Sequence, residues 1–546
     1  MTRPLLPIAL VAIFCQNVPL AAQSAANGDV TASMERWLTG AQRRAPGTWG
    51  VVVADDRGEV LWSTNADRPM TPASTVKILT TGFARTVVGG RARRATRVLG
   101  TGGVDPATGT WEGRWALELN GDPTLERGDR AGPTLRSLAE QLREIGVRKL
   151  VGPLALTTMA GEPTATYPAV WSSRHRGRSF APPVGPVTLN ENLVAFTVVP
   201  GATEGARPTI SADAPDGAHR LVTITAKTVA GRANQLVVRQ RNGGWTISGT
   251  IGTRAAARRY AYVAPDPVAV VEAVWAEALA NAGIEWSRVP SVGTTDPIER
   301  RILAEVISAP FDSIAHEVNS RSLNIGAELM LLWGGGADQA AQRLEAHVRA
   351  VTGLNEGLHL VDGSGLSDDD RVSPNTFARY LARFPQTAAG RDFPLLFPAN
   401  GSGTLRRLTK GISEPGVIRA KTGTLANASA LVGYLGRTEG MLIVAAIYNG
   451  SRTGDARLAQ WDLFRALGAD GVVIPAEPGV ADEVTFGGPV VVVGCWMLDV
   501  GCWLLYVGCW LLDVGCWMLD VGCWMLDVGC WMLDVGCGTL DGTPRR

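Results

Sequence analysis

Two serines and two lysines carry the chemistry this chain could do. In Pro72-Ala73-Ser74-Thr75-Val76-Lys77 a serine precedes a lysine by three residues. On a helix that spacing puts both side chains on one face, so the Ser74 hydroxyl and the Lys77 amine can meet. A serine hydroxyl is a weak nucleophile until a neighbour takes its proton, and an unprotonated lysine can serve as that base. Burial and a second nearby cation would both lower the lysine pKa toward the working range. Taken alone, S-x-x-K reads better as a capped helix with a surface lysine. It occurs once in the chain.

Lys421-Thr422-Gly423-Thr424 stands where an apolar strand ends, before a hairpin over residues 430–448. A strand edge can hold an extended peptide through its backbone groups. The lysine and threonine side chains suit a terminal carboxylate, and Gly423 permits close backbone approach. Ser322-Leu323-Asn324 lies between two expected helices and brings a hydroxyl and an amide to a short loop. By itself that triplet reads as a helix N-cap, and the lysine run as a turn. Their order along the chain, S-x-x-K then S-x-N then K-T-G, makes three coincidences improbable.

The elements that must position these residues follow from hydrophobic spacing. A helix is expected around Met34, Leu38 and Ala41, then strands over 49–53 and 59–62 joined by a turn, then a helix over about 73–88 that stops at Gly89-Gly90. Residues 98–300 read as β-rich, with strands expected over 115–119, 150–157, 193–199, 221–226, 236–238 and 245–251. Helices are expected near 311–318, 325–333, 340–351, 374–384 and 455–467, with strands at 417–421, 430–435 and 441–448. The layout is that of an α/β (α+β) domain over 28–97 and 301–475 carrying a large β-rich insertion over 98–300.

Composition narrows the function classes. The net charge of +1 gives no electrostatic case for nucleic acid. Only five of the 52 basic residues are lysines, and two of those five fall inside the motifs. No metal site or cofactor is expected, since the five histidines are scattered and none has H-E-x-x-H spacing. Residues 1–26 read as an export signal: Arg3, then an apolar run over 5–14, then small residues at which cleavage can occur. The run is too short to span a bilayer, so the protein is expected outside the cytoplasm, soluble or peripherally attached. Cys15 lies in that signal and the other seven cysteines in the tail, so the body has no structural disulfide. The tail, 485–546, repeats V-G-C-W-M-L-D every seven residues. Its glycines oppose a coiled coil and its aspartates a membrane span, so it reads as a low-complexity extension without function, whose removal should leave activity intact, with an interaction or aggregation segment as the alternative.

With its three motifs the chain resembles the D-alanyl-D-alanine carboxypeptidase/endopeptidase family of class C low-molecular-mass penicillin-binding proteins (peptidase family S13), over about residues 30–475. The long stretch between Ser74 and Ser322 is the distinguishing feature. Leu119-Asn120-Gly121-Asp122-Pro123-Thr124-Leu125, Leu189-Asn190-Glu191-Asn192, Ser248-Gly249-Thr250, Asp362-Gly363-Ser364-Gly365-Leu366-Ser367 and Gly403-Thr404-Leu405 are similar as well. The resemblance implies a transpeptidase/β-lactamase-like catalytic domain, helices around an antiparallel sheet, with two smaller β-rich domains inserted. It implies Ser74 as nucleophile, Lys77 as its base and Ser322 with Lys421 as proton relay. Asn324 would bind the substrate amide, and Lys421, Thr422 and Thr424 would face the terminal carboxylate beside Gly423. Peptidoglycan peptides would be the substrates and β-lactams covalent inhibitors, in a periplasmic or otherwise extracytoplasmic protein. Leu323 departs from the family's frequent Asp at that position. A serine β-lactamase and a non-catalytic wall-binding or β-lactam-sensing module are the alternatives. The oligomeric state is open, a homo-oligomer included.

Overall fold

The computed structural model describes residues 20–474, apart from 130–131, 242, 289–300, 413 and 468–470. The expected apolar signal run over 5–14 and the repeat tail lie outside the described residues. A helix Leu20–Arg44 leads into the strand Thr48–Asp55. That strand joins a five-stranded antiparallel sheet with the order Val60–Thr64, Thr48–Asp55, Gly440–Asn449, Ala428–Arg437, Ile418–Leu425. One neighbouring pair, Thr48–Asp55 with Gly440–Asn449, thus joins the two ends of this part of the chain.

The three inner strands are apolar throughout because both faces of the sheet are covered. Val52, Ala54, Val432, Tyr434, Ile443 and Ala445 pack with the helices Val76–Val88, Phe311–Arg321, Ala340–Thr352 and Pro374–Arg383. Their alternates Val51, Val53, Leu431, Leu435, Leu442 and Val444 pack against the first helix and the last, Thr453–Leu467. This period-two division fixes the register, since a one-residue slip would exchange the two cores. Ile418–Leu425 lies at the edge; Pro398 and Asn400 engage its outer backbone at Ile418 and Ala420, and no other described strand pairs with it along Thr422–Thr424.

The stretch between residues 95 and 307 has its own core, centred on Trp115, Phe196, Trp245 and Trp275. The strands Ala95–Gly100 and Arg301–Ile307 pair with each other at its base. The cuts read at 97/98 and 300/301 therefore both touch this one sheet. Among its described residues the stretch contains two α-helices besides its strands and short 3-10 turns. In Leu135–Glu144 the residues Leu135, Leu138, Ala139 and Leu142 are buried at helical spacing, with Thr134 capping the start. Pro267–Asn281 begins with Asp266 as its cap and Pro267 in the first turn. The strand expected over 150–157 is two short ones, Lys149–Val151 and Leu156–Thr157. Pro153, which has no N–H to give a ladder, lies in the break between them.

Candidate active site

Ser74 lies in a short 3-10 turn, Ala73–Thr75, that runs into the helix Val76–Val88. Ala73 holds a positive φ of 50° just before it, a conformation that costs about 1–3 kcal/mol and that surrounding contacts must maintain. Those contacts are tight. A Cβ on Gly423 would lie 2.7 Å from the Pro72 carbonyl oxygen, and one on Gly365 only 1.9 Å from that of Ala73. The edge strand and the Gly365 loop thus grip the turn from two sides, and only glycine fits at either place. Gly365 also has φ +75°, so two independent requirements exclude a side chain there.

Lys77 is completely buried. Its Nζ lies 3.0 Å from Ser74 Oγ, 2.6 Å from Asn324 Oδ1 and 2.6 Å from the Ser364 carbonyl oxygen. Two of these three partners are carbonyl oxygens, which accept and cannot donate. A neutral amine keeps two N–H bonds for them, and its lone pair is left for the one partner with a proton to give, the Ser74 hydroxyl. Burial pulls the Lys77 pKa down from 10.5 to about 7, opposed by the carboxyl groups of Asp362, Glu328 and Asp370. An amine at that value is neutral in a large fraction of molecules near neutral pH.

Asp362 organises the loop that carries the Ser364 carbonyl. Its carboxylate accepts from the backbone N–H groups of Ser364, Gly365, Leu366 and Ser367, and from Trp171 Nε1. Glu328, on the helix Asn324–Gly335, accepts from Gly363 N at 3.1 Å. Burial and the neighbouring Asp362 push the Glu328 carboxyl up to about 8. Asp370, which accepts from Val361 N, is raised for the same two reasons.

The other two motifs meet the first. Ser322 caps the helix Phe311–Arg321 in the left-handed region, with φ 59°. Its Oγ accepts a hydrogen bond from Lys421 Nζ at 2.8 Å. The position is a C-cap, not the N-cap that the triplet alone would give; Asn324 opens the following helix. Asn324 Nδ2 donates to the Phe180 carbonyl, so the amide is held from both ends. Lys421 is also completely buried, and burial first, then the charge on Lys77, holds its pKa well below the ordinary lysine range. Lys421, Thr422, Gly423 and Thr424 sit inside the strand Ile418–Leu425, not beyond its end. The ladder to Ala428–Arg437 runs through all four, which places them on the free edge of the sheet.

All eight residues singled out in the sequence therefore gather at one place. Four contributors were not singled out: Trp171, Phe180, Glu328 and Asp370. The first two come from the stretch between residues 95 and 307, and the cluster of Trp171, Ala181 and Val184 with Ile325, Leu329 and Leu366 seals it to the site. No local pattern marks a backbone carbonyl such as that of Phe180. Glu328 carried a signal of a kind, as a charge on an otherwise apolar helix face.

Fold and site together define a transpeptidase/β-lactamase-like protein with a serine–lysine centre. Residues 32–466 match the family described as D-Ala-D-Ala carboxypeptidase 3 (S13), and the chain belongs to that family, a D-alanyl-D-alanine carboxypeptidase by class. It is 28% identical over 447 residues to the D-alanyl-D-alanine carboxypeptidase of Actinomadura sp. (strain R39), covering 76% of this chain and 79% of the relative. It is 29% identical over 421 residues to Carboxypeptidase Rv3627c of Mycobacterium tuberculosis, covering 74% and 76%. Among solved structures it resembles penicillin binding protein 4 of Haemophilus influenzae. The TM-score is 0.62 at 21% identity, over 79% of this chain and 98% of that one. Among the described residues no helix is long and apolar enough to cross a membrane.

Proposed function

We propose that this carboxypeptidase is an exported serine-type DD-peptidase that cleaves D-alanyl-D-alanine ends, and cross-links, of peptidoglycan peptides through an acyl-Ser74 intermediate. The observation that carries this reading is the set of partners around Lys77 Nζ, in which Ser74 Oγ is the one proton donor. Ser74 Oγ attacks the carbonyl carbon of the penultimate D-alanine while its proton passes to Lys77. The N–H groups of Ser74 and Thr424 receive the oxyanion. Collapse breaks the C–N bond, and the leaving amine takes a proton through Ser322 and Lys421. Asn324 hydrogen-bonds the substrate amide beside the acyl group. Lys421, Thr422 and Thr424 hold the terminal carboxylate, with Gly423 admitting the peptide close to the strand. Water then attacks the ester, releasing the shortened peptide and restoring Ser74. Residues 28–97 and 301–475 form the catalytic part in this reading, and 98–300 the insertion.

A β-lactam presents a strained amide and a carboxylate to the same groups, and should acylate Ser74. A structure of the Haemophilus influenzae protein is a complex with a β-lactam. The test is intact-mass spectrometry of the mature protein after benzylpenicillin, followed over time beside Ser74→Ala. A lasting single adduct, absent from the variant, is expected. A transient adduct with drug hydrolysis would make the protein a β-lactamase, and no adduct on a folded protein would leave a non-catalytic binding module.

A further inference from the structure

The cavity beside Ser74, ≈ 340 Å³, has a wall of a different character from the one just described. Three arginines line it: Arg406 and Arg407, which follow the 3-10 turn Gly403–Leu405, and Arg457 from the last helix. Arg457 donates from Nη2 to Thr424 Oγ1 at 2.9 Å, which ties this wall to the edge strand. Arg406 and Arg407 are exposed, and Arg457 is half-buried. Among the described residues no carboxylate forms an ion pair with any of the three, whereas Arg85, Arg127 and Arg321 each have one. The Thr404 hydroxyl lines the same cavity, buried and without a partner.

Like charges kept together repel, and a site focuses that field into its cleft. One carboxylate, that of a terminal D-alanine, is matched by the Thr422–Thr424 edge and cannot offset three guanidinium groups. We propose that Thr404, Arg406, Arg407 and Arg457 form a second anion subsite on the leaving-group side of Ser74. It takes leaving amines that bear an acidic group besides the carboxylate next to the scissile nitrogen. This inference rests on the function proposed above and adds a substrate class to it. Arg406, held only by a long 3.5 Å contact from Nη1 to the Gly403 carbonyl oxygen, and Arg407, neither paired with a carboxylate among the described residues, reach for the second acid, while Arg457 is the hinge between the two anions. The planar guanidinium fork pairs with a carboxylate in a way an amide cannot copy.

Equilibrium binding to a Ser74→Ala protein tests the subsite without turnover. The probes are diacetyl-L-lysyl-D-alanyl-D-glutamate and the same peptide ending in D-glutamine. The D-glutamate peptide is expected to bind about five- to tenfold tighter at low salt, the range two partly exposed ion pairs provide, with the ratio shrinking as salt rises. Adding Arg406→Gln and Arg407→Gln should bring the ratio close to one, while Arg406→Lys with Arg407→Lys keeps part of it. Equal binding of the two peptides, or a ratio that survives both glutamines, would overturn the subsite. The benzylpenicillin adduct on the Ser74 protein reports the acyl-serine reading separately, so the two can fail independently.

Discussion

The rear of the site is built from acidic side chains and its mouth from basic ones. Behind Lys77 lie three buried carboxyl groups, Asp362, Glu328 and Asp370. At the mouth, beyond Thr424, lie Arg406, Arg407 and Arg457, with no paired carboxylate among the described residues. The consequence is visible in the two lysines. Both are completely buried, so desolvation opposes the charge on each. Lys77 is drawn back to about 7 by the acids at the rear. Lys421 has no such support, and the charge on Lys77 adds to its burial. Burial alone therefore does not set a lysine's task. The side from which the carboxylates approach makes Lys77 able to hold a proton in turn and leaves Lys421 a donor of hydrogen bonds to Ser322.

The largest effect should come from removing the amine itself. Lys77→Ala is expected to slow benzylpenicillin acylation on the order of 10⁴-fold or more, because Ser74 and its base act as one unit. Lys421→Ala should be clearly milder in acylation, since Ser74 keeps its base. Equal losses in time-resolved adduct formation would erase the distinction between the two lysines.

Next in size is the carboxylate that builds the rear. Asp362→Ala strips an acceptor from four backbone N–H groups and Trp171 Nε1, all buried. Leaving such donors unpaired in the interior is expected to cost about 3–5 kcal/mol of stability, read by urea denaturation. A loss under about 1 kcal/mol would mean that the loop has other support, and that Ser364 is held over Lys77 by packing.

How much of this was legible is decided by where each signal is stored. Ser74, Lys77, Ser322, Asn324 and the 421–424 run could be read because catalysis fixes their types and local geometry fixes their spacing. The inner strands could be read because both sheet faces are apolar. The strand reads from the sequence as ending at Lys421; the ladder to Ala428–Arg437 carries it on through Thr422, Gly423 and Thr424 to Leu425. Residues 98–300 read as β-rich because of their short strand-like apolar runs. Yet Leu135, Leu138, Ala139 and Leu142 are at helical spacing, and Asp266 followed by Pro267 is a helix start. The loop over 362–367 looked like a tight turn and no more. Its role as the carrier of a Lys77 ligand depends on a carbonyl, and a carbonyl has no sequence. The same holds for Phe180. Side chains that act by type can be read; backbone groups that act by position cannot.

The smallest predicted effect is the most specific to the rear of the site. Proton transfer from Ser74 requires neutral Lys77, so acylation should rise with pH through about 7 and level off above it. An ionised Glu328 raises the Lys77 pKa, but its own carboxyl titrates at about 8 and is mostly neutral across that rise. Glu328→Gln copies the neutral form and keeps an acceptor for Gly363 N. Only the charged fraction is lost, so the acid limb should move to lower pH by a modest amount, with the plateau nearly kept. The limb is read from adduct formation with benzylpenicillin between about pH 5 and about pH 9. Were Glu328 only a prop for the 362–367 loop, its replacement would lower the plateau and leave the limb in place. A limb moved to higher pH would reverse the electrostatic assignment, because removing an acid near a lysine can only make protonation harder.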